Sequence, residues 1–537
     1  MGVYLNSKKP LSLYQMESAG MFFVDKTEML KELIPLIVQG GKYTCITRPR
    51  RFGKTVMASM IGAFFGKGKD SHSLFSKLKI GNSDEFENHI NKYNVFYIAF
   101  NEIPKNCNTY EEYIGRIQKR MIGDLKREFP YCDISEDSAV WDVINDIYEL
   151  EDDVKFIFVF DEWDYIFHRD YITEENKKSY VEFLSNLLKD QPYVLYTYMT
   201  GILPIAKYSS GSELNMFLEY TMVEEEKYCE YFGFTETEVD DLFERYLKLN
   251  EEPRVSREGL RIWYDGYHTY SGERVYNPRS VVSSLLNNNL GNYWTSAGPY
   301  DEIFYYIEKN VADVRDDLAL MVAGIPVSAK IREYAATSMN LTTKDEIFSA
   351  MVVYGFVSYE NGKVSIPNKE LMEKFGDMLK KETSLGYVNR LAKESEKMLK
   401  ATLEGDVETM ARIMEYAHDT EVPLLNYNNE TDLTAVVNLI YLAARDFYRI
   451  EREDKARIGY VDFIFYPEKD YSADCIILEL KIDHTPEEAI QQIIDRKYAL
   501  RFNGKIATEP KYTGRILAVG ISYDKQTKRH ACKVQEI

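Results

Sequence analysis

The chain has 537 residues, of which 45% are hydrophobic and 14% aromatic, and its 66 basic against 86 acidic side chains give a net charge of −20. This apolar content excludes a disordered chain, while a mean hydropathy of −0.38 and the lack of any apolar run of about 18 residues exclude a membrane-spanning helix. The N-terminal segment has no signal-peptide pattern and the six cysteines form no CxxC pair, so we expect a cytoplasmic protein without a metal finger or a disulfide framework.

The first 220 residues predict an α/β core. Short apolar runs rich in β-branched and aromatic residues alternate with segments of helical periodicity. Such alternation is typical of a parallel sheet that is covered by helices on both faces. The predicted strands are residues 42–47, 93–100, 154–160 and 193–199, and the predicted helices between them are residues 54–65, 110–129 and 177–189.

Beyond residue 220 the pattern changes. Residues 221–290 predict a helical lid, which starts with a helix at 236–249, and residues 291–425 predict a mainly helical connecting region. Residues 426–537 alternate again between strands and helices and predict a second α/β domain. Its expected strands are 460–466, 475–481 and 515–522, and its expected helices are 433–448 and 486–502.

A phosphate-binding loop is predicted between the first strand and the first helix of the core. Gly53, Lys54 and Thr55 open that helix, where backbone N–H groups and the helix dipole attract phosphate. Lys54 would neutralise the β- and γ-phosphates, and Thr55 would bind Mg²⁺. The departure is Arg48, which stands where the pattern GxxxxGK[ST] has its first glycine.

Two acidic residues at the end of the third predicted strand complete a nucleotide site. Asp161 and Glu162 follow the buried run FIFVF, where the Mg²⁺-binding acid and the residue that polarises the attacking water are expected. The alternative is that both carboxylates merely end a strand in solvent. Thr200 ends the next strand and suits a sensor of the γ-phosphate, although an ordinary strand-end threonine fits equally well.

Three arginines crowd the predicted loop. Arg48, Arg50 and Arg51 could contact phosphate or reach the site of a neighbouring subunit in a homo-oligomer, as arginine fingers do. Equally, they could be solvated basic residues on a loop.

Seven motifs in order give the N-terminal half a specific resemblance. They are DKT at residues 25–27, TRPRRFGKT, FDEWD, MTGILPIAKYSSGSELNMF, YFGFTETEV, WYDGY and YNPRS. In this order they resemble the AAA-ATPase-like family, which is related to the STAND and archaeal ATPases and in which RPRRFGK replaces the glycine-first loop. The resemblance covers residues 8–285 and implies a P-loop NTPase with a helical lid. It implies that Arg51 and Phe52, with the GKT residues, surround the nucleotide and that Arg279 or Lys207 faces it.

A second candidate site lies in the C-terminal domain. Asp462 and Glu479 occur on two apolar strands joined by a turn-rich stretch, so antiparallel pairing would bring them together. Glu479 and Lys481 are two residues apart and therefore project from one face of a strand. Two carboxylates that hold a hard divalent cation, with a lysine beside them, suit metal-assisted phosphodiester hydrolysis. An edge strand with alternating charges would give the same ExK spacing.

The context of the ExK strand resembles the PD-(D/E)XK nuclease superfamily over residues 425–525. Gln492 and Tyr498, in the helix that follows, match its A-x-x-Q-I…K-Y pattern, and Glu430 stands where that superfamily often carries another metal-binding acid. Asp432 could replace Glu430. His484 could support the site, but a turn histidine that caps the next helix fits as well.

Together these features predict a protein that binds and hydrolyses ATP with Mg²⁺ and carries a metal-dependent nuclease-like domain, with Mn²⁺ as a second candidate metal. DNA is the expected partner of the C-terminal domain. A net charge of −20 argues against sequence-independent binding of nucleic acid by the whole surface, so we expect local residues to make the contact. The combination of an ATPase domain with a nuclease-like domain in one chain suggests nucleotide-regulated cleavage in defence or mobile-element biology. The alternative is an ATPase switch or scaffold whose C-terminal domain binds partners or nucleic acid without cleaving.

Overall fold

A computed structural model describes the chain from residue 2 to 537 apart from twelve gaps, and it divides the protein into two compact units. Unit 1 comprises Met1–Pro299 and Ala329–Glu370, and unit 2 comprises Tyr300–Ser328 and Leu371–Ile537. The undescribed residues are 103–106, 133, 135–137, 152–153, 206–212, 295–304, 306, 332–340, 420–429, 453–460, 469 and 504–511.

Unit 1 is built on a parallel five-stranded sheet. Its strands are β1 (Tyr43–Thr47), β2 (Asn94–Ala99), β3 (Phe156–Asp161), β4 (Val194–Gly201) and β5 (Leu218–Tyr220), in the order β2-β3-β4-β1-β5. Every residue of β3 is buried, as expected for a central strand that is covered on both faces. The predicted α/β fold of the core is therefore confirmed, and β1 to β4 coincide with the predicted strands. The sequence missed β5, whose three residues are only partly buried or exposed.

Helices cover both faces of this sheet and continue into the predicted lid. The helix that follows β1 is buried along most of its length, and it packs on β3 and β4 in the sheet and on α1. The helices of the core and lid are α1 (Lys9–Ser18), α2 (Met29–Gln39), α3 (Lys54–Phe65), α4 (His72–Phe75), α5 (Phe86–His89), α6 (Tyr110–Glu128), α7 (Val140–Leu150), α8 (Glu174–Leu188), α9 (Glu236–Leu249), α10 (Arg257–Tyr264) and α11 (Pro278–Asn287).

A short hairpin joins the lid helices, and a later segment of the chain completes unit 1. The hairpin is β6 (Tyr267–His268) with β7 (Arg274–Val275). Within Ala329–Glu370, a helix at Lys344–Tyr354 is followed by an antiparallel pair of strands, β9 (Ser358–Glu360) and β10 (Lys363–Ser365). Part of the predicted connecting region therefore lies in the same compact unit as the core, and the four-part division of the chain remains a prediction.

Unit 2 consists of helices and a mixed five-stranded sheet. The strands are β11 (Tyr448–Arg452), β12 (Phe463–Pro467), β13 (Cys475–Ile482), β14 (Ile516–Asp524) and β15 (Arg529–Glu536), in sequence order across the sheet. Only the β13–β14 pair among them is parallel. This arrangement confirms the predicted C-terminal α/β domain. The unit also contains the short strand β8 (Val327–Ser328) and helices at Val311–Val322, Tyr387–Glu404, Val407–Asp419, Glu430–Ile440 and Pro486–Asp495. A helix at Lys369–Lys381 spans the boundary between the units in the sequence.

Two predicted helices of unit 2 are shorter than expected. The helix expected over 433–448 ends at Ile440, because Tyr448 already begins β11 and pairs with β12. The helix expected over 486–502 ends at Asp495 and is followed by a 3₁₀ turn at Tyr498–Asn503. In the described ranges, no helix has the length and apolar character needed to cross a bilayer.

Candidate functional sites

The carboxyl ends of three strands meet at one edge of the unit 1 sheet. Thr200 of β4 is paired with Ile46 of β1 on one side and with Asp161 of β3 on the other. The loop that follows β1 and the acidic pair that ends β3 therefore lie at the same edge. The sheet order places the predicted phosphate-binding loop and the predicted acids together.

Gly53 sets the start of α3. Its φ of 89° lies in the left-handed region, which glycine adopts without strain, and α3 begins at the next residue. The first turn of the helix holds Lys54, which is buried, and Thr55, which is exposed. Free N–H groups at this helix start favour an anion.

The ammonium group of Lys54 bonds to its own loop. Its Nζ donates to the carbonyl oxygens of Arg48 at 2.9 Å and Pro49 at 2.8 Å. Burial lowers the pKa of Lys54 to about 8, although the negative charges of Asp164, Glu162 and Asp161 oppose this shift. The lysine is thus within the field of the acids while its hydrogen bonds go to the backbone.

Asp161 is a buried carboxylate whose oxygens lack partners. Neither oxygen has a partner at hydrogen-bonding geometry among the described residues, although the Thr55 hydroxyl and the N–H of Glu162 are the donors nearby. Burial and the neighbouring charge of Glu162 raise the pKa of Asp161 to about 6, while the Thr55 hydroxyl and Lys54 oppose the rise. A carboxylate that is buried without hydrogen bonds is costly unless a cation pairs with it, so Asp161 and Thr55 fit an Mg²⁺ site.

Glu162 lies beside Asp161 with an unusual backbone. Its φ of 51° is left-handed, which is uncommon outside glycine and marks a constrained position. The side chain is half-buried, and burial raises the pKa of Glu162, whereas Lys54 and a hydrogen bond with Asn101 lower it. Glu162 is therefore the more accessible of the two acids at this edge.

Thr200 is engaged inside the sheet. Its hydroxyl donates to the carbonyl oxygen of Ile46 at 2.8 Å, and the residue is fully buried. In this structure the side chain links β4 to β1, as an ordinary strand-end threonine would.

Arg48 is buried beneath the loop. Its guanidinium donates to the carbonyl oxygens of Thr47 at 2.7 Å and Tyr220 at 2.9 Å, and it lies 5.0 Å from the ring centroid of Phe232. Only 2% of the residue is exposed. The solvated-loop interpretation therefore does not describe Arg48, which instead ties the loop to β5.

The other two loop arginines are placed differently. Arg50 is half-buried, with its guanidinium 6.0 Å from the ring centroid of Tyr354. Arg51 is exposed, but partial desolvation of its guanidinium, together with the positive charges of Arg279 and Arg50, lowers its pKa, while Glu162 opposes this. Arg51 and Arg279 thus share one electrostatic environment near Glu162. Lys207 lies outside the described residues.

Phe52 anchors the loop by packing. It is 1% exposed, and its ring contacts Tyr267 edge to face at a centroid distance of 5.0 Å. Its side chain therefore faces the β6–β7 hairpin of the lid rather than solvent.

Two charged residues at this edge escaped the sequence analysis. Asp164 is buried and accepts hydrogen bonds from the N–H groups of Ile202 at 3.1 Å and Leu203 at 2.8 Å, so it holds the segment that follows β4. Lys9 of α1 pairs with Glu102; burial lowers the pKa of Lys9, and the negative charge of Asp161 opposes this. The FDEWD motif contains Asp164, but no local pattern marks Lys9.

In unit 2 the three predicted residues of the second site come together. Asp462 precedes β12, and its Oδ2 accepts a hydrogen bond from the N–H of Leu480 at 2.7 Å. Glu479 is 4% exposed, and its Oε1 accepts from Nζ of Lys481 at 2.9 Å and from the amide of Gln492. Strand pairing therefore positions Asp462, and the following helix supplies Gln492.

The second carboxylate oxygen of Glu479 is buried and lacks a hydrogen bond in the described part of unit 2. Burial and the charge of Asp462 raise the pKa of Glu479 to about 7, while Lys481 opposes the rise. An incoming cation would satisfy this oxygen and offset the repulsion between the two carboxylates. The Asp462–Glu479 pair therefore fits a hard divalent cation.

Gly520 allows the helix at Pro486–Asp495 to approach this site. Gly520 is paired with Glu479 across β13 and β14, and a Cβ atom at 520 would overlap the carbonyl oxygen of Pro486. Only glycine leaves room for so close a helix–sheet contact. The helix can then bring Gln492 to Glu479.

The remaining predicted residues of this site are only partly described. Glu430 begins the helix Glu430–Ile440, but its side chain and that of Asp432 lie outside the described residues. Among described side chains, no group of three or more His, Cys, Asp and Glu forms a metal site. His484 contacts Glu488 at 2.8 Å, next to the Thr485 cap of its helix, as the turn-histidine interpretation expects.

Two family models match the regions of the chain that contain the candidate sites. Residues 12–210 match the AAA-ATPase-like family, described as a predicted AAA-ATPase, and residues 428–531 match the PD-(D/E)XK nuclease superfamily. The chain therefore carries an AAA-ATPase-like domain and a C-terminal PD-(D/E)XK nuclease-superfamily domain. Both predicted resemblances are confirmed.

Individual relatives are distant. An uncharacterized protein in the vnfD 5′ region of Azotobacter chroococcum mcd 1 is 24% identical over 287 residues, which cover 52% of this chain and 52% of that protein. The alignment thus spans about half the length of the curated relative. Among solved structures, a Walker-type ATPase of Pyrococcus abyssi has a TM-score of 0.38 and 11% identity over 66% of this chain and 96% of its own. The ORC2 protein of Aeropyrum pernix has a TM-score of 0.28 and 10% identity over 69% and 92%.

Proposed function

We propose that this protein binds and hydrolyses ATP at the edge of the unit 1 sheet and cleaves phosphodiester bonds of DNA at the carboxylate pair of unit 2. The observation that supports the proposal is that each site combines a lysine with a buried carboxylate that has an unsatisfied oxygen. The first site also lies in the region that matches the AAA-ATPase-like family, and the second lies in the region that matches the PD-(D/E)XK nuclease superfamily.

At the nucleotide site, the N–H groups at the start of α3 bind the phosphates, and Lys54 moves from its two loop carbonyls to the β- and γ-phosphate oxygens. Thr55 and Asp161 hold Mg²⁺, which supplies charge neutralisation when bound. Glu162 orients the attacking water and accepts its proton, as the more accessible acid at this edge. Arg51 and Arg279 add positive charge next to Glu162.

At the second site, Asp462 and Glu479 hold Mg²⁺ or Mn²⁺, which supplies Lewis-acid chemistry to the phosphodiester when bound. Glu479 binds the metal as the ionised carboxylate, and the proton that it carries below its pKa of about 7 is released to solvent. Lys481 stays beside Glu479 and stabilises the negative charge that develops on the phosphate, and Gln492 fixes the orientation of the Glu479 carboxylate.

The nucleotide state of unit 1 regulates cleavage by unit 2 in this proposal, and the setting is defence or mobile-element biology. Support for both statements comes from the occurrence of the two domains in one chain. Homo-oligomerisation would let exposed Arg51 reach a neighbouring nucleotide.

The test is cleavage of supercoiled plasmid, single-stranded DNA and RNA in Mn²⁺, with ATP, with ADP and without nucleotide. We expect the wild type to cut DNA at a rate that depends on the nucleotide, and Glu162→Gln to bind ATP without turning it over. If Asp462→Asn matches the wild type on every substrate, cleavage does not occur at this site and the scaffold alternative replaces the proposal.

A further inference from the structure

A basic turn lies beside the carboxylate pair of unit 2. Residues 523–533 contain four basic side chains and one acidic one, a net charge of +3 in a chain of net charge −20. The turn itself, residues 524–529, connects β14 to β15 and carries Lys525, Lys528 and Arg529, all exposed. This local excess of positive charge stands out against the acidic chain.

The turn is held in a defined shape. Oδ1 of Asp524 accepts hydrogen bonds from the N–H groups of Gln526 at 2.9 Å and Thr527 at 2.7 Å, and the N–H of Lys528 donates to the carbonyl oxygen of Asp524 at 2.8 Å. The N–H of Lys525 donates to Oδ1 of Asp483 at 2.9 Å. Asp483 directly follows β13, so the turn is fastened to the end of the ExK strand.

Strand register places Arg529 on the face of the sheet that carries Glu479 and Lys481. Lys481 pairs with Ser522, which pairs with Ala531, and Asp524 pairs with Arg529 two residues further on. Paired residues and every second residue along a strand share a face, so Arg529 projects from the same face as Lys481. A spacing of ~4.8 Å between strands and ~3.3 Å per residue puts their Cα atoms about 12 Å apart.

Two of these basic residues have no acidic partner among the described residues. Lys525 lies 3.7 Å from Asp483, whereas neither Lys528 nor Arg529 makes an ion pair with a residue that the structure describes. Unpaired cations on a turn whose backbone is held are suited to phosphate groups, because no ion pair has to be broken and little backbone freedom is lost on binding. A separation of about 12 Å corresponds to three or four nucleotides along a strand at ~3.4 Å each.

We infer that the β14–β15 turn binds the phosphate backbone of duplex DNA and positions the strand next to Asp462 and Glu479, an inference that rests on the proposed function. The contact is to phosphates, so it sets the register of the DNA and carries no base specificity. Lys528 and Arg529 make the main contacts, and Lys525 supports them while it remains paired with Asp483.

The test compares two double variants of the full chain with equal changes in charge. Lys528→Glu/Arg529→Glu changes the turn. The control, Lys393→Glu/Lys400→Glu, changes two exposed residues of the helix Tyr387–Glu404. The C-terminal end of this helix lies at the opposite end of β14 from the turn, because the carbonyl oxygen of Leu403 accepts a hydrogen bond from Arg515. Binding of a fluorescein-labelled duplex is measured by anisotropy in Ca²⁺ over a salt series.

We expect the turn variant to bind at least about tenfold more weakly than the wild type at low salt, and the helix variant to bind within about twofold. Lys528→Ala/Arg529→Ala should lower the slope of log K against log salt concentration by about 1.8, since each lost phosphate contact contributes about 0.9. Equal weakening by both charge-reversal variants, no duplex binding by the wild type, or tenfold preference for single-stranded RNA overturns the inference.

Hydrolysis of a small phosphodiester, bis-p-nitrophenyl phosphate, in Mn²⁺ separates this inference from the proposed function. The turn variant should hydrolyse it at the wild-type rate, because a small ester does not reach the turn. Hydrolysis without turn-dependent DNA binding overturns the inference alone. Turn-dependent binding without hydrolysis by the wild type supports the inference and contradicts the proposed cleavage.

Discussion

The two candidate sites hold their lysines in opposite ways. In unit 1, Lys54 donates to backbone carbonyls, while the buried oxygens of Asp161 have no partner at hydrogen-bonding geometry among the described residues. In unit 2, Lys481 donates directly to one oxygen of Glu479, and the other oxygen has no hydrogen bond from a described residue. In the first site, a ligand has to bring Lys54 away from the loop carbonyls. In the second site, the lysine already contacts the carboxylate, and only a cation has to be added. Ligand binding should rearrange the first site more than the second.

The largest effect is expected at the assembled site. Asp462→Asn keeps an oxygen that can accept from the N–H of Leu480, but it removes the negative charge. DNA cleavage in Mn²⁺ should fall by at least about 100-fold, because one charged metal ligand is lost. ATP turnover, measured as phosphate release, should stay within twofold, and a matching loss of ATP turnover would show that the two sites are not separable in this way.

Arg48 and Arg51 separate packing from ligand binding within one loop. Arg48→Ala should lower the free energy of unfolding of unit 1 by about 2–4 kcal/mol, because it removes a buried, hydrogen-bonded side chain. Exposed Arg51→Ala should change it by less than about 0.5 kcal/mol. Urea denaturation followed by tryptophan fluorescence reports on unit 1, where all four tryptophans lie. Equal effects of the two substitutions would contradict the buried position of Arg48.

Lys54→Ala tests whether the unit 1 lysine leaves its carbonyls for phosphate. ATP affinity, measured by calorimetry with Mg²⁺, should fall about 10- to 100-fold, as expected for loss of charge-assisted hydrogen bonds. Lys177→Ala is a matched control, since that lysine is also buried but pairs with Glu174 on α8. An unchanged affinity in Lys54→Ala would mean that the lysine serves only the loop.

Metal binding at unit 2 should depend on pH through Glu479. Its pKa of about 7 means that the carboxylate is mostly protonated below pH 7, and a metal ion must then displace that proton. The apparent Mn²⁺ affinity should fall about tenfold per pH unit below 7 and level off above it. Calorimetry in buffers of different ionisation enthalpy measures the proton released, and a flat profile from pH 5 to 8 would contradict the raised pKa.

The smallest effect concerns Thr200. Thr200→Val removes the hydroxyl that donates to Ile46 and should cost about 1 kcal/mol of stability, with ATP turnover within threefold of wild type. A loss of turnover above tenfold at unchanged ATP affinity would instead assign Thr200 to the sensing of γ-phosphate.

Strands with a strong apolar pattern were predictable, and strands made by pairing alone were not. The sequence predicts β3 because the run FIFVF is apolar, and the structure shows the strand buried throughout. The sequence does not predict β5, which is paired with β1. It also predicts a helix that overlaps the first residue of β11, because the residues YRIER form no apolar run. Local sequence carries no information about these partners.

The same limit applies to the sites. Lys54 and Asp161 lie close together because the parallel strands β1 and β3 end at the same edge of the sheet. Asp462 and Glu479 lie close together because β12 pairs antiparallel with β13. The burial of Arg48 depends on Tyr220 and Phe232, which lie far along the chain, so no motif reveals it.

The buried guanidinium also constrains how such a loop evolves. Replacement of Arg48 by the glycine of the GxxxxGK[ST] pattern would restore the common motif yet remove the donor to Tyr220 and the cation beside Phe232. Arg48→Gly alone would therefore give a less stable protein, because the carbonyl of Tyr220 and the ring of Phe232 would lose the group that they contact. A change of loop type requires compensating changes around residues 220–232.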